Sequence, residues 1–201
     1  SPKFFAQNEQ LKVVDFSLNQ IKRLDSGFLE NLVNLDVLML GNNKLTEIPD
    51  NFFLKSTSLT KVHFGNLKED RSENHKTESK YNTFSQNRFK SFKPITFAPL
   101  VHLKQIEMSN LGIESIPLRL FDANNQLEKI GLNDNLLKNV SSDIFENLPL
   151  VDEGLKIYNN NFTFDQKKVL KDRFKNFILV EPPLAFTAFK VACYHGYCRN
   201  N

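Results

Sequence analysis

The stretch Leu35–Leu59, LDVLMLGNNKLTEIPDNFFLKSTSL, decides how this chain is organised. Leu35, Leu38 and Leu40 read as a short strand that turns its apolar side chains to one face. Asn43 follows, then Leu45, Ile48-Pro49 and Phe53, before an equivalent leucine returns at Leu59. The pattern L-x-x-L-x-L-x-x-N-x-L therefore closes on itself after about 24 residues, a period typical of chains that stack one supersecondary unit on the next.

Scattered leucines prove nothing, so the test is phase. The same register appears at Leu11, Val14, Phe16, Asn19, Ile21 and Leu24. A third copy starts at Leu59, Val62 and Phe64. A fourth starts at Leu103, Ile106 and Met108, with Ile113 and Ile116-Pro117 behind it. The fifth reads Leu127, Ile130, Leu132, Asn135, Leu137 and Val140. The sixth slips by one residue to Leu155, Ile157, Asn160 and Phe162. An independent series, Phe5, Leu29, Phe53, Phe97, Phe121 and Phe145, marks the opposite side of each turn. Apart from one enlarged step the two series run in phase, as a coil of stacked turns requires.

The enlarged step places an insertion. Counted back from Leu103, the repeat resumes at Asn87, Phe89, Phe92 and Leu100. The extra residues, about 20 in number, form a charged, weakly apolar loop at 68–86 in the third repeat, on one rim of the coil. A segment of that composition buries too little to order itself.

No single turn has a core; burial comes only from stacking. At about 25 cal/mol per Å², a buried Leu or Phe contributes roughly 1.5–3 kcal/mol. Where the strand bends away, interior backbone groups lack strand partners. The side-chain amides of Asn19, Asn43, Asn87, Asn135 and Asn160 are expected to be buried there and to serve as donors and acceptors. The matching positions in two turns hold Leu67 and Leu111, with Asn66 and Asn110 one residue early, so this ladder is expected to break beside the insertion.

The ends differ from the repeats. Residues 1–10 form a minimal cap, or the start of a processed or expressed piece. The solenoid spans 1–164 and a C-terminal cap spans 165–201. Asp165 is expected to cap a helix running to about Phe177, with Val169, Leu170, Phe174 and Phe177 as a lid over the last turn. Its basic face of Lys167, Lys168, Lys171 and Lys175 also admits a membrane-surface reading. Cys193 and Cys198 stand in ACYHGYC, where a short terminal disulfide is preferred and an inter-chain disulfide is the alternative. Zinc would need more ligands than these two and His195 supply. The sequons Asn139-Val140-Ser141 and Asn161-Phe162-Thr163 offer two N-glycosylation acceptors.

Lys and Arg number 26 against 23 Asp and Glu, a net charge of +3, too balanced to argue for nucleic acid. There is no membrane-spanning run, no phosphate loop, no metal or cofactor set and no nucleophile constellation, so an enzyme is not expected. His63 and His102 lack in-register catalytic partners. Function is expected on the outward residues of the strands, which line a concave sheet. From turn to turn the central slot reads Asp15, Met39, His63, Glu107, Gly131 and Lys156. One flank reads Val13, Val37, Lys61, Gln105, Lys129 and Gly154. The other reads Ser17, Gly41, Gly65, Ser109, Asn133 and Tyr158. A face with soft apolar groups near one end and charges toward the other suits a protein or peptide partner. The predicted ligand-binding set is Asp15, Val37, Met39, Lys61, His63, Gln105, Glu107, Lys129, Lys156 and Tyr158.

The strand signature, the Ile48-Pro49 and Ile116-Pro117 pairs, and the F-x-x-L segments at Phe97–Leu100 and Phe145–Leu148 resemble the "typical" class of extracellular leucine-rich repeats over roughly residues 5–164. That class includes Toll-type receptor ectodomains, Slit-like guidance proteins, small proteoglycans and the secreted leucine-rich immune proteins of mosquitoes. Abundant Phe, Asn and Lys is similar to the insect members. The resemblance implies an α/β repeat solenoid, a horseshoe with a parallel concave sheet of about five to six strands and a C-terminal helical cap. It further implies a secreted glycoprotein, non-enzymatic recognition on the concave face, rim loop or C-terminal region, and a role in innate immunity or cell-surface signalling. The chain departs from receptor ectodomains in lacking their cysteine-rich caps. A scaffold that assembles as a homo- or hetero-oligomer through its ends or cysteine tail is the alternative.

Overall fold

The computed structural model describes residue 5 and residues 7–65, 86–151 and 154–173. Six short parallel strands form one sheet in chain order: β1 (Val13–Asp15), β2 (Val37–Met39), β3 (Lys61–His63), β4 (Gln105–Glu107), β5 (Lys129–Gly131) and β6 (Leu155–Lys156). Consecutive strands pair in register, with Val14, Leu38, Val62, Ile106, Ile130 and Leu155 aligned across the sheet. The sheet is thus the inner wall of a solenoid, and each turn contributes only its alternating segment to it.

Strand leucines point inward and vanish from solvent: Leu35, Leu38, Leu40, Leu59, Leu103, Ile106, Leu127 and Leu132 are all buried. The convex series meets them from the other side, with Leu29, Phe53, Phe97, Phe121 and Phe145 buried and Phe5 half-buried. Among the described residues no long helix forms there. The repeated F-x-x-L-x-x-L spacing instead folds into successive three-residue turns, such as Leu100 N to Phe97 O and Leu103 N to Leu100 O. This 3-10-like path returns the chain to the sheet while keeping every third side chain inside. The rings stack along the solenoid, Phe53 on Phe97 at 6.0 Å and Phe97 on Phe121 at 6.0 Å. At the other end Phe5 packs on Phe28 at 5.4 Å and Phe16 at 6.2 Å.

The asparagines form a ladder between turns. Asn43 Oδ1 accepts from Ile21 N, while its Nδ2 donates to Phe16 O and Leu40 O. Asn87 repeats this with Leu45 N, Leu40 O and Phe64 O. Asn135 and Asn160 do the same two and three turns further on. Two expectations need correction. Asn19 is exposed, and its Nδ2 reaches only Phe16 O and Ser17 O of its own turn, because no described turn lies on its other side. The ladder is also continuous through the third turn, where Asn87 arrives from beyond the insertion. At Leu111, where the asparagine is missing, Asn135 Oδ1 accepts from both Leu111 N and Ile113 N. Asn66 and Leu67 lie outside the described residues.

A row of left-handed residues follows the strands: Leu18, Asn42, Asn110, Asp134 and Asn159, with φ between 52° and 60°. Asn and Asp tolerate that conformation; a leucine pays for it through its Cβ. Leu18 is exposed and lies outside the apolar core, so little burial offsets the cost. Leu18→Asn is therefore expected to raise the urea midpoint, by about 0.5–1 kcal/mol in stability. A lower midpoint would show that Leu18 holds a contact of its own.

Helix α1 (Phe164–Arg173) closes the last turn. Its cap is Thr163, whose Oγ1 accepts from Gln166 N at 3.2 Å, and not Asp165, which sits in the first turn and favours the helix dipole. Leu170 is buried, but Val169 is exposed, so the expected apolar lid is narrower than its spacing implied. Phe174, Phe177 and Lys175 lie outside the described residues.

Candidate functional site

Strand alternation sends every second side chain to the concave surface. Across the sheet Asp15, Met39, His63 and Glu107 are direct partners, as are Glu107 and Gly131, then Gly131 and Lys156. Val37, Lys61, Gln105 and Lys129 line the strand-entry flank in the same register. Nine of the predicted set are thereby brought onto one face, and Tyr158, half-buried, borders it just past β6. Asp15, Lys61, Lys129 and Lys156 are exposed; Val37, Met39, His63, Gln105 and Glu107 are half-buried.

Two features of this face were not evident from spacing. The first is that the acids are tethered. Asp15 Oδ1 accepts from Ser17 N at 2.8 Å, and Glu107 Oε1 accepts from Ser109 N at 2.8 Å and also from Ser109 Oγ. The acid-x-Ser spacing in Asp15-Phe16-Ser17 and Glu107-Met108-Ser109 is the sequence signal that could have shown it. The second is the role of two glycines. A Cβ at Gly131 would fall 2.2 Å from Glu107 Oε2, so the carboxylate lies across β5 in the slot that the glycine leaves empty. A Cβ at Gly65 would fall 2.6 Å from Ser109 O, so only glycine admits the close approach of the third and fourth turns. Asn124 is a third residue that the pattern hid. It is buried in a convex leucine position, where its Nδ2 donates to Phe97 O and Leu100 O.

Burial pushes the His63 imidazole below its ordinary value of 6.5; Lys61 acts in the same direction and Asp15 opposes it. The folded chain then binds fewer protons here than the unfolded one. Stability from His63 is present above about pH 6.5 and falls as pH drops through the lower, folded value. His63→Gln is expected to flatten the loss of urea midpoint between neutral and mildly acidic pH. Equal pH slopes in the two proteins would count against it.

Elsewhere, Asn139 and Asn161 are exposed, while Ser141 and Thr163, the hydroxyl residues of their sequons, cap the 3-10 turn Ser142–Ile144 and α1. Cys193 and Cys198 lie outside the described residues, as does the 68–86 loop up to Ser85. A side groove of about 470 Å³ between the second and third turns is lined by Ile48, Pro49 and Phe92 beside Glu47 and the Lys93–Asp50 ion pair. Among the described residues no group of three or more His, Cys, Asp or Glu is placed to hold a metal, and no helix is long and apolar enough to cross a membrane.

A parallel sheet of one strand per turn with an interturn asparagine ladder has counterparts. Residues 9–56 match the family of Leucine Rich repeats (2 copies), and residues 74–171 match the BspA type Leucine rich repeat region (6 copies). The chain belongs to the leucine-rich-repeat proteins. Among solved structures this leucine-rich-repeat protein is similar to the APL1 leucine-rich repeat domain, with 19% identity and a TM-score of 0.60 over 74% of this chain and 34% of that one. It is also similar to a leucine-rich-repeat protein of Leptospira interrogans, with 15% identity and a TM-score of 0.61 over 84% of this chain and 36% of that one. Likeness at such identities is one of fold. The chain spans about a third of the length of each. No curated protein sequence matches it. Leucine-rich-repeat domains commonly act as protein-interaction modules and are in general non-catalytic.

Proposed function

We propose that this leucine-rich-repeat protein is a non-catalytic recognition module that binds a protein or peptide partner on its concave sheet and adjoining rim. The observation that carries this reading is the registered row Asp15, Met39, His63 and Glu107, which sets a half-buried apolar centre between charged groups. Interfaces of that composition, an apolar core inside a polar rim, are common between proteins. We further assign it to the extracellular space, in innate immunity or cell-surface signalling. The exposed sequon asparagines Asn139 and Asn161 support that setting, as does the resemblance to secreted repeats.

The test is affinity capture from extracellular fluid of the source organism, read by mass spectrometry, with wild type beside Met39→Arg and folding checked by circular dichroism. A charged side chain at the centre of the face should abolish capture. A partner held equally by both proteins would remove recognition from the concave sheet.

A further inference from the structure

The two carboxylates of the central row stand in β1 and β4, with Met39 and His63 between them. Each is held by the backbone N–H two residues further on, and Glu107 also by the Ser109 hydroxyl. A side chain fixed before the ligand arrives loses little freedom on binding, so these are preorganised anions on the concave face. Gly131 completes the arrangement by leaving the slot in which the Glu107 carboxylate rests. Between them, Met39 presents a polarisable apolar surface, and His63, held below its ordinary value by burial, adds little opposing charge at neutral pH.

Spacing narrows the ligand. Strands lie about 4.8 Å apart, so the carboxylates are separated by three to four spacings, about 14–19 Å. In an extended chain, side chains on one face recur about every 6.7 Å. Positions i and i+4 are then about 13 Å apart, the flexible heads of Arg or Lys span the remainder, and i+2 falls between Met39 and His63. Resting on the concave-face reading above, we propose that the row Asp15–Met39–His63–Glu107 selects an extended partner segment of the form basic–x–apolar–x–basic. Arginine is the favoured cation because its planar, always-charged fork offers several donors to a carboxylate whose orientation is fixed. On the strand-entry flank two exposed cations oppose such a ligand: Lys61 beside His63 on β3, and Lys129 on β5, across which the Glu107 carboxylate lies.

The experiment measures anisotropy of three fluorescein-labelled peptides at low ionic strength: Gly-Arg-Ser-Leu-Ser-Arg-Gly, the same peptide with Glu for both Arg, and Gly-Arg-Ser-Arg-Ser-Leu-Gly. The first should bind about tenfold tighter than either control. Asp15→Asn and Glu107→Gln, which keep shape and lose charge, should each weaken it about fivefold, and Lys61→Glu should tighten it about threefold. Equal affinity for the Arg and Glu peptides, no binding by any of the three, or indifference to the Asn and Gln variants would overturn the proposal. Capture of the natural partner separates this from the wider reading. A partner lost by Met39→Arg but kept by Asp15→Asn and Glu107→Gln sinks the two-cation rule alone, whereas one kept by Met39→Arg sinks both.

Discussion

Phe97→Ala should lower stability by about 3–5 kcal/mol, the range for emptying a large aromatic site in a packed core. Phe97 is fully buried and touches rings from three turns: Phe53 at 6.0 Å, Phe64 at 6.3 Å, Phe92 at 5.3 Å and Phe121 at 6.0 Å. Because no turn has a core of its own, the cavity would lie between turns and weaken the stacking that holds the third to its neighbours. For a chain of this size the melting temperature should fall by roughly 10 °C. Phe97→Leu keeps most of the volume and should cost well under half as much. A loss below 1 kcal/mol for Phe97→Ala would mean that the convex row does not carry the stacking.

The second large effect is expected in the ladder. Asn87 is buried, and its amide serves Leu45 N, Leu40 O and Phe64 O in three different bonds. Alanine would leave Leu45 N without a partner and deprive both carbonyls. An unpaired buried group costs about 1–3 kcal/mol, so the sum is on the order of 3 kcal/mol. Asn43→Ala should behave alike, since Ile21 N depends on it in the same way. Asn19→Ala is the internal control: its amide is exposed and bonds only its own turn, so the change should stay under about 1 kcal/mol. Urea midpoints of the three variants decide the matter. Similar losses at all three positions would mean that asparagine stabilises the bend itself, with no interturn ladder.

The contrast between Asn19 and Asn87 also shows where reading residues in order reaches its limit. Spacing alone established the solenoid. Alternation of Leu35, Leu38 and Leu40 sets a strand, the return at Leu59 sets the period, and the Phe97–Phe121–Phe145 series sets the convex wall. Even the insertion was measurable, because Val62 pairs with Ile106 only if the extra residues leave and rejoin the same turn. These features depend on burial that repeats with chain position, so periodicity carries them. Which residues share the concave row follows from the same count.

What the row does chemically depends on contacts between turns, and no period encodes those. Asn135 serves two amides because Leu111 occupies the neighbouring ladder position. Glu107 lies across β5 because Gly131, one turn away, has no side chain, and Ser109 then holds it there. Thr163 caps α1 ahead of Asp165 because the last turn delivers the chain two residues earlier than the charge pattern implied. The sequence by itself determined the repeating architecture, since stacking rewards every turn for the same apolar positions. The tertiary structure decided which polar groups are fixed and which face solvent, since each hydrogen bond depends on what the adjacent turn places opposite it.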